Sequence, residues 1–311
     1  MKLLGLTCGS EGGNSEILLK EALKAGEAAG LEVELIRLHD LDVPIMSGSI
    51  SLAAFGEGRE QGDGEFIWNA LMDCDAMIVA APAYSLGPPG QLKVLADSLL
   101  GPNADMTAVR ESKKLREQGL PIPEIKNDER LEKPRVSGFI SVGGAPTPDW
   151  ASLAIPTLHT IFLPLAMTNI DQFHILSAGG QHTMAGNEEA LTRANTLGQR
   201  VASQIGKSFE EAEYLGDPGV CPVCNTSMIV FRDDALECAV CGSRGTYSEK
   251  DGKPGVSFSK EEQEMSILTV GGKTKHTHDL FQVAIEQGPQ AEENREKAMA
   301  YKDLFPAKKP R

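Results

Sequence analysis

For its first two-thirds the chain alternates short apolar runs with segments of helical periodicity. Leu3-Leu4-Gly5-Leu6-Thr7 is an unbroken apolar run and predicts a strand. Leu18, Ala22, Ala25 and Ala29 then recur at helical spacing, which predicts a helix ending near residue 29. Val33-Glu34-Leu35-Ile36 predicts a second strand, and residues 44–63, rich in Gly and Ser, predict a loop. Asp75-Ala76-Met77-Ile78-Val79-Ala80-Ala81 is continuously apolar, as expected of a strand buried on both faces. A helix follows over 89–100, a buried strand over 136–142, a helix from 150 to about 165, a last strand over 170–176 and a long helix over 188–209. This order predicts an α/β fold, a doubly wound parallel sheet with helices on both faces and right-handed crossovers.

Two stretches break the rhythm. Residues 101–135 carry eight basic and seven acidic side chains plus Pro121 and Pro123. They predict a solvated surface excursion or, alternatively, an arm reaching a neighbouring subunit. After Asp217-Pro218-Gly219 comes a cysteine-paired segment, and from 251 a polar tail with a helix over 278–304, interrupted at Gly288-Pro289. The division expected is an α/β domain over 1–214, a cysteine-paired unit over 215–250 and a C-terminal extension over 251–311.

Composition narrows the partners. With 311 residues, 41% of them hydrophobic, the chain can bury a sizeable core. A net charge of −14 disfavours nucleic acid and anionic membranes, which need clustered Lys and Arg. No run approaches the roughly 18 apolar residues of a membrane span. The first residues are already core strand rather than signal peptide, and four of the six cysteines form C-x-x-C pairs. Together these predict a cytoplasmic protein whose cysteines bind metal rather than pair as disulfides.

The richest chemistry lies between the first strand and the first helix, in Cys8-Gly9-Ser10-Glu11-Gly12-Gly13-Asn14-Ser15. Backbone N–H groups of such a loop and of the helix start converge on one spot and hold an anion without a charged side chain. Ser10, Asn14 and Ser15 add possible side-chain donors, and Glu11 is expected to face solvent with only its amide near the anion. The glycines do not fit G-x-G-x-x-G, and no Lys follows them, so neither the dinucleotide fingerprint nor the nucleoside-triphosphate loop is present. The pattern Gly9-Ser10-x-x-Gly13-Asn14-Ser15-Glu16 resembles the FMN-phosphate loop of flavodoxins and flavodoxin-like NAD(P)H-dependent flavin reductases.

Two further loops strengthen that resemblance. Ala81-Pro82-Ala83-Tyr84-Ser85-Leu86-Gly87-Pro88-Pro89-Gly90-Gln91-Leu92-Lys93 is similar to the family stretch in which P-x-Y lies beside the isoalloxazine ring and G-Q-L-K opens a helix. Val142-Gly143-Gly144-Ala145-Pro146 allows close backbone approach to the ring's polar edge. Tyr84 is a candidate wall for flavin or substrate, or else a packing tyrosine. Trp150 either lines the pocket or packs the start of its helix. The resemblance covers roughly residues 1–210, including 191–202, similar to the family's closing helix. It implies a five-stranded sheet in the order 2-1-3-4-5 and FMN held by residues 10–15, by Pro82, Ala83, Tyr84, Ser85, Leu86 and Gly87, and by Val142, Gly143 and Gly144. NAD(P)H is the implied electron donor, a quinone, flavin or other small aromatic molecule the acceptor, and a homodimer or homotetramer the assembly. The alternatives are an electron-transfer module docking a protein partner through its C-terminal parts, and a non-catalytic flavin scaffold. Two departures from relatives stand out. Pro44-Ile45-Met46-Ser47-Gly48 has no cysteine where some relatives hold an iron–sulfur cluster, and the phosphate loop lacks the Arg that many reductases carry.

Cys221-Pro-Val-Cys224 and Cys238-Ala-Val-Cys241 lie 13 residues apart. Two such knuckles place four thiolates in a tetrahedron with no open position, which suits structural zinc, with rubredoxin-type iron as the minority alternative. The segment resembles a zinc ribbon. Cys8 and Cys74 predict buried small side chains, His159 and His174 core histidines, and His276-x-His278 a surface pair.

Overall fold

The computed structural model describes residues 1–43, 45, 60–101, 105–121, 128–232, 235–250, 252–302, 304, 305 and 308. The predicted loop over 44–63, and with it the cysteine-free stretch 44–48, lies almost wholly outside them.

Strands β1 (Lys2–Thr7), β2 (Glu32–Arg37), β3 (Ala76–Pro82), β4 (Val136–Val142) and β5 (Thr168–Ile175) form one parallel sheet in the order 2-1-3-4-5, the flavodoxin-like arrangement. Every residue of β3 and β4 is buried, which is why both read as continuous apolar runs. Side-chain alternation divides them between two layers. Leu4, Leu6, Met77, Val79 and Phe139 pack with α2 (Gly64–Asp73) and α5 (Ala154–Phe162) on one face. Leu3, Ile78 and Ile140 pack with α1 (Asn14–Ala28) and α6 (Glu188–Gln204) on the other. Helix α3 (Gly90–Leu95) runs on into a wider i→i+5 turn over Ala96–Leu100.

Helices α1 and α6 touch backbone to backbone at Gly198. A Cβ built there would lie 2.1 Å from the Ala22 carbonyl oxygen. Gly198→Ala is therefore expected to force the helices apart and cost about 3 kcal/mol by overpacking. Denaturant unfolding with an unchanged m-value checks this, and wild-type stability would show that the two helices separate freely.

Among its described residues the charged excursion is not free of the rest of the chain. Its helix α4 (Met106–Glu117) lies against a helix from the chain's own C-terminal part, α8 (Val270–Glu293), which follows the short α7 (Lys260–Glu264). Ala108 and Phe281 are buried together, Thr107 and Thr277 hydroxyls meet at 3.0 Å, and His278 Nε2 lies 2.6 Å from Glu111 Oε2. Acidic and basic residues on α4 thus hide an apolar stripe whose partner lies 170 residues away. Both histidines of the H-x-H pair are exposed as expected, and His278 pairs with the Glu111 carboxylate. Helix α8 also runs straight through Gly288-Pro289, contrary to the predicted break, and gives way to α9 (Arg295–Lys302) only beyond Asn294. The stretch around Pro289 is exposed, so water can take the carbonyl that the proline leaves free. At its other end α8 is anchored by Lys273, whose buried ammonium donates to the Leu163 carbonyl, and burial pushes that lysine down to about 8.

Strands β6 (Ile229–Arg232), β7 (Ala235–Cys238), β8 (Arg244–Lys250) and β9 (Lys253–Ser257) form a separate antiparallel sheet behind the cysteine quartet.

Candidate functional site

Loops leaving the carboxyl ends of the adjacent strands β1, β3, β4 and β5 meet at one edge of the main sheet, where ligands of doubly wound folds bind. The first loop is shaped by its own backbone. Thr7 Oγ1 accepts from Gly9 N–H at 3.1 Å, and Gly13 N–H donates to Ser10 O at 2.9 Å. Gly12 sits at φ +64°, a conformation that costs little only for glycine. Helix α1 then starts at Asn14 with no side chain capping it. Its first N–H groups have no intrahelical acceptor, so the positive end of the helix is left open for an anion. The small donor hydroxyls of Ser10 and Ser15 stand in the same loop.

Glu11 faces solvent as expected and lies 3.8 Å from Arg37. Arg37, at the end of β2, stands beside this loop. That guanidinium is already held by Glu16 at 2.8 Å and Asp40 at 2.5 Å. Glu16 is fully buried under the loop. Burial alone would raise its pKa, but hydrogen bonds and charge from Arg37 and Lys20 outweigh it and hold the carboxyl at about 2.

Asn14 departs from the use expected of it. Its Nδ2 donates to Ala178 O (3.0 Å), Gly180 O (2.7 Å) and Thr183 Oγ1 (3.2 Å), while its Oδ1 accepts from Met184 N–H (3.1 Å). The side chain ties the first loop to the loop after β5 and has no hydrogen left for a phosphate. From the same segment His182, at φ +61°, places Nδ1 2.6 Å from Gly12 O. This fourth loop was missed in the sequence; Gly179-Gly180 after the last strand was its only local signal.

The loop after β3 closes on itself. Tyr84 and Gly87 exchange backbone hydrogen bonds at 2.7 and 3.2 Å across Ser85 (φ +50°) and Leu86 (φ +76°). Two consecutive non-glycine residues with positive φ are strained, and such strain persists where surroundings over-determine it. Here Leu86 O accepts from Leu153 N–H, and Ala83 N–H donates to Val142 O. Pro82, Val142 and Gly143 are buried beneath, whereas Gly144 is exposed and lies against Gly179. Tyr84 and Trp150 are 59% and 63% exposed, so neither is a packing residue. Cys8 is fully buried at the end of β1, and burial pushes its thiol up to about 12, far from the thiolate a redox role requires.

The cysteine centre lies elsewhere. Sulfurs of Cys221, Cys224, Cys238 and Cys241 are all buried within 4.8 Å of one another, with Cys221–Cys241 at 3.4 Å and Cys224–Cys238 at 3.5 Å. A zinc ion bonded to four sulfurs at 2.3 Å would need edges of about 3.8 Å, so the set closes around an ion with little movement. The two knuckles repeat each other. Each ends in a left-handed residue (Asn225 at φ +54°, Gly242 at φ +74°) followed by a hydroxyl on the preceding sulfur. Thr226 Oγ1 lies 3.1 Å from Cys224, and Ser243 Oγ 3.4 Å from Cys241. The quartet docks onto β5: Gln172 Nε2 donates to Cys224 O (3.0 Å) and Asn225 O (2.9 Å). Those bonds orient the Gln172 amide, so its Oε1 must accept from His159 Nε2–H at 2.6 Å. Burial pushes this histidine down to about 4 and keeps it neutral, the satisfied core histidine expected. His174 is instead exposed, at the carboxyl end of β5 where the burial of the strand runs out.

The sheet order, the glycine loop at an uncapped helix start and the strained loop after β3 define a flavodoxin-like flavin protein. A family model described as NADPH-dependent FMN reductase matches residues 1–111. The flavone synthase cfoJ of Aspergillus candidus is 35% identical over 304 residues, covering 94% of this chain and 91% of that protein. An iron–sulfur flavoprotein of Archaeoglobus fulgidus is 31% identical over 88 residues, 28% of this chain and 40% of its own length. A solved flavone reductase superposes with a TM-score of 0.81 at 25% identity, covering the whole of both chains. The chain belongs to the family of NADPH-dependent FMN reductases and is an NAD(P)H-dependent flavin oxidoreductase.

Proposed function

We propose that the second substrate is a planar aromatic acceptor of the flavonoid kind, reduced in the crevice bounded by Tyr84 and Trp150. Bound FMN supplies the hydride chemistry, taking reducing equivalents from the nicotinamide and passing them to the acceptor. The protein's part is to bind and orient. Amides of Glu11, Gly12 and Ser15, with the hydroxyls of Ser10 and Ser15, hold the phosphate. Backbone of Pro82–Gly87 and of Val142–Gly144 lines the ring site. One observation carries the substrate class: two large aromatic side chains, Tyr84 and Trp150, stand exposed on neighbouring loops of the site. Exposed aromatics beside a crevice are suited to stacking a flat substrate. The names of the flavone synthase and flavone reductase relatives point to the same class.

We further propose that residues 1–214 form the flavin domain and that Cys221, Cys224, Cys238 and Cys241 hold a structural zinc ion. The four thiolates leave no open coordination position for chemistry.

Anaerobic mixing with NADPH or NADH, followed by a flavone, tests the reading. The yellow colour is expected to bleach with the nucleotide and to return when the flavone is added. Bleaching that only a quinone reverses would overturn the substrate class. No bleaching by either nucleotide would overturn the choice of donor.

A further inference from the structure

The loop after β5 reaches back over the glycine turn that follows β1, and His182 is the side chain it lays there. Its Nδ1 stands 2.6 Å from Gly12 O, and a carbonyl can only accept, so Nδ1 carries the hydrogen. At the other end of the same peptide unit, Gly13 N–H donates to Ser10 O at 2.9 Å. The peptide between Gly12 and Gly13 is thus pinned at both ends, and with it the direction of the neighbouring amides. His182 adopts φ +61° to reach this position, an unfavourable conformation for a residue with a Cβ. Ala185 N–H donates to His182 O at 3.1 Å, and Thr183 Oγ1 donates to Gly180 O at 3.1 Å, so the segment around it holds that conformation in place. The ring is exposed, and its Nε2 has no partner among the described residues.

The cations beside this loop are already matched. Arg37 pairs with Glu16, with Asp40 and, at 3.8 Å, with Glu11, and Lys20 pairs with Glu16 at 2.5 Å. Three carboxylates against two cations leave the surroundings one negative charge in excess, before a phosphate of about −1.5 to −2 at pH 7 arrives. The open start of α1 answers with partial charge only. On the histidine's own side, Glu188 and Glu189 follow in the first turn of α6, but among the described residues no carboxylate lies within ion-pair distance of His182. We propose that His182 is a positioning residue of the phosphate loop and its titratable counter-charge: Nδ1–H holds the Gly12 carbonyl, and Nε2 takes up a proton when the phosphate binds. The inference rests on the reading of this loop as the FMN-phosphate site. The proton comes from solvent, and the bond to Gly12 persists in both states, so no contact in the protein is broken. Because the complex favours the imidazolium, the gain in affinity is present below the ordinary histidine range near pH 6.5 and is lost as pH rises beyond it.

Calorimetric titration of the full chain with FMN, in buffers of different ionisation heat, counts the protons exchanged, and fluorescence quenching gives the affinity between pH 6 and 8.5. His182→Asn is the informative variant. Asparagine tolerates the left-handed conformation, and its Nδ2 can replace Nδ1 as donor to Gly12 O, but it does not titrate. Ionisation of FMN's own phosphate is common to both chains, so their difference isolates the histidine. A ten-fold preference of the complex for the imidazolium appears at pH 7 as about half a proton more taken up per FMN by the wild-type chain. The asparagine variant should match wild-type affinity at pH 8.5 and fall behind by up to about ten-fold at pH 6. His182→Ala, which also loses the donor, should bind about ten-fold more weakly than the asparagine variant at every pH. Nuclear magnetic resonance of the His182 ring in the wild-type chain needs no variant: its titration midpoint should lie about one pH unit higher with FMN bound. An unmoved midpoint, or equal proton uptake by the wild-type and asparagine chains, would overturn the inference while leaving the flavin reading intact. An alanine variant that binds as tightly as wild type would do the same. Failure of the wild-type chain to bind FMN at any pH would overturn both.

Discussion

Replacing Gly13 with valine is expected to yield a folded, colourless protein whose affinity for FMN falls by at least about 100-fold. A Cβ at this position would lie 2.9 Å from the Ser10 carbonyl oxygen, the same atom that accepts the Gly13 N–H. Backbone cannot yield as the far end of a side chain does, so the loop must open and its amides lose their common focus. Charge-assisted hydrogen bonds contribute about 1.5–3 kcal/mol each, and loss of two accounts for the fall. Quenching of FMN fluorescence measures the affinity, and circular dichroism checks the fold. Ser10→Ala removes one hydroxyl and leaves the amides in place, so it should cost about ten-fold or less. Wild-type affinity in the valine variant would show that the phosphate sits elsewhere.

Cys224→Ser is expected to have the largest effect on the structure itself. It removes one of four ligands from a buried set, and four-thiolate zinc sites contribute folding energy outright, on the order of 10 kcal/mol. Without metal, the hydrophobic cluster around Val240 and the cysteines has little else to hold it. The damage spreads to β5, because Gln172 loses the Cys224 and Asn225 carbonyls and becomes an orphaned buried amide. The expected result is loss of the single metal equivalent by elemental analysis and a fall in Tm of at least about 5 °C, since 1 kcal/mol moves a domain of this size by about 2 °C. FMN binding should survive, because the flavin loops lie at the other end of the sheet. A full metal complement with unchanged Tm would refute the ligand assignment. The same analysis decides between zinc and iron.

What the sequence discloses and what it hides follow from the range of the interactions. Strands β3 and β4 are legible because a strand buried on both faces needs an unbroken apolar run, and the cysteine quartet because ligand spacing is local. The phosphate loop is legible for the same reason: its glycines act within a few residues. Partners that meet only in the folded chain are not legible. Asn14 reads as a phosphate donor until Ala178, Gly180 and Thr183 arrive from more than 160 residues away. The charged excursion reads as solvated because its apolar neighbour, Phe281, belongs to the tail. Arg37 escapes notice because an arginine at a strand end has no local mark, though it pairs with the buried Glu16 beneath the loop. Proline in a helical pattern is an unreliable stop where its surroundings are exposed, as at Pro289.

The clasp made by Asn14 has a temporal side. A nascent chain displays its glycine turn almost as soon as synthesis begins, yet the asparagine cannot lock that turn until the segment through Met184 has emerged and β5 has been laid down. Capture of the pigment is therefore expected only late in biogenesis. In the mature molecule, a rise in free-flavin fluorescence without any reductant becomes an expected early sign that the sheet's outer edge has come adrift.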